Sequence, residues 1–144
     1  MTTRRNFITK TVLGGTALAL SNSATSMAAS SYNRIMGAND RLHIAIAGLG
    51  RRYGAYVEPI AQKENNVNLL YLCDVMESQR VNALKNFSEN IDYTPKLEND
   101  IHKVIDDSQV DILINSTPDH WHTPGSILAM QAGKHVYVEK PCSH

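Results

Sequence analysis

The stretch Leu42-His43-Ile44-Ala45-Ile46-Ala47-Gly48-Leu49-Gly50-Arg51-Arg52-Tyr53-Gly54 passes from a short apolar run into a glycine-rich turn. A brief apolar run that stops at glycine reads as a strand covered on both faces, the habit of parallel sheets. The following segment, Tyr53 to Lys63, places Val57, Ile60 and Ala61 at helical spacing. Pro59 interrupts it, because proline removes a donor and crowds the preceding turn. Strand, glycine turn and helix together form the context that a dinucleotide fingerprint requires. Gly48 and Gly50 let the backbone turn sharply and approach a pyrophosphate. The first amides of the helix offer that anion N–H groups and partial positive charge, with Arg51 and Arg52 beside them. The third glycine falls at 54 rather than 53, so Tyr53 takes the position where a helix and strand usually pack closely.

Outward from this turn, apolar strands and amphipathic helices alternate. Val67 to Cys73 reads as a second strand that closes on Asp74, 24 residues after Gly50. An acid at this place accepts hydrogen bonds from adenosine ribose hydroxyls. It repels a 2′-phosphate, which favours NAD over NADP, with Arg51, Arg52 and Arg80 as counterweights. Ser78 to Phe87 reads as a helix with Val81, Leu84 and Phe87 on its inner side. Leu97 to Asp107 reads as another, with Ile101, Val104 and Ile105 inward. Asp111 to Asn115 is a strand, Pro124 to Ala132 a helix ended by Gly133, and His135 to Val138 a last strand. The alternation specifies an α/β fold, a doubly wound parallel sheet of the Rossmann type.

Two polar motifs follow strands: Asn115-Ser116-Thr117-Pro118-Asp119-His120-Trp121-His122 and Val138-Glu139-Lys140-Pro141. Ligands of doubly wound sheets bind outside the carboxyl ends of strands. Lys140 is therefore either a solvated lysine or an amine at the cofactor edge, where partial desolvation would tune it for acid/base work. His120 and His122 have no completing cysteine or carboxylate cluster, so no metal site is expected. Trp121 is placed to stack on a ring or to pack beneath its loop. Cys73 sits in an apolar run and reads as a small buried hydrophobe. Two cysteines make no disulfide framework.

These residues resemble the glucose–fructose oxidoreductase / inositol dehydrogenase (Gfo/Idh/MocA) family over residues 42–144. The likeness rests on Gly48-x-Gly50, Thr117-Pro118-Asp119-His120-Trp121-His122, Gln131-Ala132-Gly133-Lys134 and Glu139-Lys140-Pro141. It implies an NAD(P)-dependent oxidoreductase acting on hydroxyl or keto groups of sugars, glycosides or cyclitols. It implies that Lys140 orients the reacting oxygen and aids proton transfer, and that Glu139 binds ribose hydroxyls on the nicotinamide side. Thr117 and Pro118 would line the cofactor, with His122 near the active-site mouth. Pro141 is a position where a cis peptide is expected. The family also implies a second, C-terminal α+β domain that supplies substrate contacts, a histidine partner for the lysine and a homo-oligomer interface. The chain is thus expected to be truncated before that domain, with an exposed sheet edge. Two other readings compete: an NAD-dependent redox-assisted glycosidase, whose relatives tend to lack the lysine, and a non-catalytic nucleotide-binding fragment.

The 144 residues suffice for one domain. Formal charge is zero, but Arg4, Arg5 and Lys10 crowd the start. Setting those three aside leaves 11 basic residues against 14 acidic, a net of −3, which gives no footprint for nucleic acid. Residues 1–28 combine Arg4-Arg5-Asn6-Phe7-Ile8, a short apolar stretch from Val12 to Leu20 and a small-residue exit at Ser26-Met27-Ala28. This is the anatomy of a twin-arginine signal peptide, with a periplasmic destination. Residues 29–40 read as a linker and 41–144 as the nucleotide-binding domain. Replacing both Arg4 and Arg5 by lysine is expected to hold the precursor in the cytoplasm. Fractionation with immunoblotting checks this; normal trimming and export of the double variant would remove the assignment.

Overall fold

The computed structural model describes residues 41–142; the signal-peptide and linker readings fall outside them. Five parallel strands are ordered β3-β2-β1-β4-β5: β1 Leu42–Ala47, β2 Val67–Cys73, β3 Lys96–Glu98, β4 Ile112–Asn115 and β5 His135–Val138. Between them run α1 Gly54–Ala61, α2 Glu77–Ser88, α3 Ile101–Asp106 and α4 Asp119–Gln131. The chain travels outward from β1 through β2 to β3, then returns to β4 on the other side. The strand order therefore reverses between β1 and β4, where a doubly wound sheet opens its crevice.

The pleat of β1 divides the core. Ile44 and Ile46 join Leu69, Leu72, Ile60, Ala83 and Phe87 on the face covered by α1 and α2. Ala45 and Ala47 join Leu113, Val104, Ile105 and Ala129 on the face covered by α3 and α4. Both faces of the central strand are thus apolar, which is why its sequence does not alternate. Strand β2 carries one extra residue: Ile44 pairs with Leu69 but Ala45 pairs with Tyr71. The bulge sends Leu70 and Tyr71 to the same core and returns Leu72 to the face of Leu69.

Several expected elements are corrected. The helix expected from Leu97 begins at Ile101, because Lys96–Glu98 pairs with β2 as a short edge strand. Asp100 caps that helix by accepting from the His102 amide at 2.9 Å. Helix α4 starts at Asp119, not Pro124, and carries Pro124 inside it. Helix α1 ends at Ala61, two residues earlier than its spacing suggests, and retains Pro59. In α2 Ala83 and Phe87 are buried and Leu84 packs against the same core as expected, while Val81 is 52% exposed.

The correction at α2 separates two substitutions. Phe87→Ala empties a fully buried site and should cost about 3–5 kcal/mol. Val81→Ala, on a wet surface, should stay within about 0.5 kcal/mol of wild type. Urea denaturation followed by circular dichroism measures both; equal losses would contradict the orientation of α2.

Candidate functional site

The sheet pairing continues one residue past its strands. Glu139 N–H donates to the Asn115 carbonyl (3.0 Å), Ser116 N–H to Ala47 (2.8 Å), Gly48 N–H to Cys73 (2.9 Å) and Asp74 N–H to Glu98 (3.1 Å). Each donor is the first residue after its strand. Four residues from separate sequence motifs therefore stand level in one row along the carboxyl edge.

At the β1/β4 reversal the contact is tight. Gly48 has φ +87°, a left-handed conformation that favours glycine. A Cβ there would collide with the Ser116 carbonyl and the Thr117 nitrogen. Gly48 is thus required by the backbone just after β4, whether or not a ligand is bound. Gly50 differs, since a Cβ on it meets nothing within 4 Å. That open space above the turn, next to the N-terminus of α1, fits a pyrophosphate. Tyr53, in the place of the third glycine, sits 6.4 Å from Phe87 and its hydroxyl accepts from Asn86 at 2.6 Å. The displaced pattern is accommodated by stacking against α2.

Gly48, Asp74, Thr117 and Pro118 share a cleft of about 680 Å³ with Val75, Trp121 and other neighbours. Asp74 accepts from the Leu49 amide at 2.7 Å through one oxygen and from the Met76 amide at 2.9 Å through the other. Its carboxylate thus fixes the glycine turn as well as presenting negative charge to the cleft. A carboxylate has lone pairs left for ribose hydroxyls after two such bonds. Arg80 donates to the Asp74 carbonyl at 2.6 Å. Cleft, glycine turn and acid together match the adenosine and pyrophosphate parts of a dinucleotide.

Glu139 joins β5 to the glycine turn. Its Oε1 accepts from Arg52 Nε at 2.7 Å and from the Tyr56 hydroxyl at 2.6 Å. The Arg52 guanidinium, then Tyr56, hold its carboxyl below the usual carboxylate range. The hydroxyl of Tyr56 is pushed upward, chiefly by burial and then by Glu139. The sign follows: this tether is complete above the ordinary carboxylate value and is lost as pH falls through the lowered one. Arg51 and Arg52 were both expected at the phosphate, but Arg52 is turned to Glu139; Arg51 is exposed.

Lys140 stands beside this tether and is exposed, with a cis peptide to Pro141. The partial desolvation expected for its amine is not supplied by residues 41–142. His122, expected at a helix start near the active-site mouth, lies in the first turn of α4. It is 2% exposed and stands apart from the cleft lining, with its Nδ1 bonded to the Pro141 carbonyl at 2.7 Å, one residue past Lys140. Asn115, quoted in the motif but given no role there, is fully buried. Its Oδ1 accepts from the Thr117 hydroxyl at 2.6 Å, while Nδ2 donates to the His122 carbonyl at 3.0 Å and to Ser126 at 3.2 Å. A buried amide at a strand end, with hydroxyls two and eleven positions on, was the available signal. Cys73 is buried, which raises its thiol to about 12, while Cys142 is exposed. Among the described residues no three metal-ligating side chains gather.

Residues 42–144 match the family model described as "GFO_IDH_MocA: Oxidoreductase family, NAD-binding Rossmann fold". A glycosyl hydrolase family 109 protein of Shewanella baltica (strain OS185) is 29% identical over 153 residues, covering 96% of this chain and 33% of that protein. An alpha-N-acetylgalactosaminidase of Shewanella oneidensis is 30% identical over 104 residues, covering 69% and 22%. Among solved structures, scyllo-inositol dehydrogenase from Lactobacillus casei with bound NAD(H) and scyllo-inositol aligns with a TM-score of 0.62 and 25% identity, over 72% of this chain and 29% of that one. A probable dehydrogenase from Thermotoga maritima aligns with a TM-score of 0.61 and 28% identity, over 71% and 29%. The chain therefore spans a third or less of these relatives' length.

The charge of Asp74 sets a preference between cofactors. NADH should bind more tightly than NADPH, by about tenfold or more, and Asp74→Asn should narrow the gap. Fluorescence titration with both nucleotides measures it. A wild-type protein that prefers NADPH would overturn this use of the carboxylate.

Proposed function

The chain belongs to the Gfo/Idh/MocA oxidoreductase family, with its NAD-binding Rossmann fold, and from that premise we propose that it is the nucleotide-binding part of an NAD-dependent dehydrogenase of sugar, glycoside or cyclitol hydroxyls. The observation that carries this reading is the level row of strand ends. It sets Lys140 directly after Glu139, on the same edge as Gly48, Asp74 and Ser116. Bound NAD supplies the carbon that exchanges hydride with the substrate. The chain's own residues do the rest. Gly48 and Gly50 admit the phosphates, Asp74 and Thr117 meet the adenosine side, and Glu139 fixes the corner near the nicotinamide ribose. Lys140 lies against the substrate oxygen, taking the carbinol proton in oxidation and returning it in reduction. Substrate contacts and the homo-oligomer interface belong to a downstream domain. The scyllo-inositol dehydrogenase crystallised with NAD(H) and scyllo-inositol supports a substrate of this class.

The curated relatives named for glycosyl hydrolase family 109 favour a second reading, NAD-assisted glycoside cleavage. Lys140 argues for dehydrogenation, because the redox-assisted glycosidases tend to lack that lysine. The two readings differ in net redox change. A full-length protein carrying the downstream domain, given NAD⁺ and a panel of cyclitols, hexoses and nitrophenyl glycosides, should accumulate NADH. Release of nitrophenol without net NADH would establish the glycosidase instead.

We propose further that residues 1–28 deliver the folded domain, with nucleotide aboard, through the twin-arginine machinery to the periplasm, with 29–40 as linker. Folded export suits an enzyme whose destination has no free cofactor pool.

Positioned acid/base groups contribute about 10²–10⁴ in rate. In the full-length enzyme Lys140→Met should lower turnover on the order of 10² or more while changing NAD affinity only a few-fold. Lys140→Arg should not rescue it, since guanidinium keeps its proton near neutral pH. Stopped-flow absorbance and nucleotide titration read both quantities. Loss of NAD binding with intact turnover in the residual holoenzyme would make Lys140 a cofactor ligand.

A further inference from the structure

The backbone that carries Lys140 is held on both sides by side chains from elsewhere in the fold. Before it, the Glu139 amide bonds Asn115 and the Glu139 carboxylate bonds Arg52 and Tyr56. After it, the Pro141 carbonyl is bonded by His122 Nδ1 at 2.7 Å, and the Cys142 carbonyl accepts from Thr123 Oγ1 at 2.6 Å. Adjacent residues of α4 thus hold two successive carbonyls, while Lys140 itself is exposed.

A carbonyl oxygen only accepts, so the proton of His122 is on Nδ1. Its Nε2 is then buried with no hydrogen-bond partner. An unmatched buried nitrogen is destabilising. A ring serving only to fill the space would gain nothing from that nitrogen, whereas a donor to Pro141 needs the other one. The His122 carbonyl is itself fixed by Asn115 Nδ2 from β4, so the tether is anchored to the sheet and not merely to the helix.

We propose that His122 and Thr123 are positioning residues for Lys140, fixing the two carbonyls after it so that the lysine projects from an immobile corner. The inference rests on the catalytic reading of Lys140 given above. Small misplacements of a reacting group can be expensive in rate, and a lysine at a loop end needs such anchoring more than one in mid-strand.

Four variants of the full-length enzyme test it. His122→Asn keeps a donor the same number of bonds from Cα as Nδ1, and Thr123→Ser keeps the hydroxyl. His122→Leu and Thr123→Val remove the donors at similar size. Amide hydrogen exchange by mass spectrometry reads the peptide containing residues 139–142. Turnover is measured on the best panel substrate, with KM for NAD⁺ alongside. His122→Leu and Thr123→Val should speed exchange in that peptide by about tenfold and lower turnover by about tenfold, with KM for NAD⁺ within about twofold. His122→Asn and Thr123→Ser should resemble wild type. Unchanged exchange in the Leu and Val variants overturns the proposal, as does an Asn variant no better than Leu. Faster exchange with full turnover overturns it too, since the tethers would then not serve the lysine. Should His122→Leu fail to fold, the partly exposed Thr123 decides through its Val/Ser pair. If Lys140→Met keeps full turnover, it is the catalytic reading that fails, and hydrogen exchange still decides whether the tethers hold the corner.

Discussion

Parallel pairing in a single register is the constraint from which the rest follows. Ala47 lies opposite Cys73 on one side and Asn115 on the other, and Asn115 lies opposite Val138. The residues one step further on are then forced level, whatever their side chains. Slipping one strand by a residue would exchange its two faces and misplace its contribution to the edge. The bulge in β2 shows the constraint at work: an extra residue is absorbed mid-strand, so that Cys73 and Asp74 still arrive in line. Function is located by backbone hydrogen bonds first, and by side-chain chemistry only afterwards.

Polar side chains in and next to that row tie it to its neighbours. Asn115 satisfies both ends of its amide within the fold, linking β4 to Thr117 and to α4. Glu139 links β5 to α1 through Arg52 and Tyr56. Asp74 links β2 to the turn after β1. Each joins an element to a neighbour that pairing alone would leave loosely connected. Buried polar networks tie a structure to one arrangement when every member is matched. Among the described residues one buried side-chain atom is not matched, the Nε2 of His122.

Much of this was legible from residues alone. The β1 run, the glycine turn and the acid at 74 announced themselves because each rests on local chemistry: an apolar strand, a left-handed glycine, a carboxylate at a strand end. β5 was equally plain, and β2 hid only its bulge. What escaped depends on partners distant in sequence. Lys96–Glu98 is too short to show alternation and becomes a strand only by pairing with β2. Both Val81 and Ala83 fit the helical spacing of Leu84 and Phe87, and only packing against the sheet shows that Ala83 is the inner one. Pro124 suggested a helix start through its missing donor, yet the helix had already begun at Asp119. His122 was legible as a helix-start residue, but its bond to the Pro141 carbonyl, 19 residues on, was not.

The site also has a history within each molecule. Its contacts join residues 69 apart, as between Ser116 and Ala47, and 87 apart, as between Arg52 and Glu139. No contiguous piece of chain contains it, so it comes into being only when β5, the last strand to leave a ribosome in this span, has closed on β4. Long-range parallel pairing is slow to form, and until β5 is in place the Glu139 corner is missing from the grip on a nucleotide. A ligand that binds only the finished sheet stabilises it by mass action. Nucleotide capture would then act as a late lock on folding, holding the finished sheet against reopening.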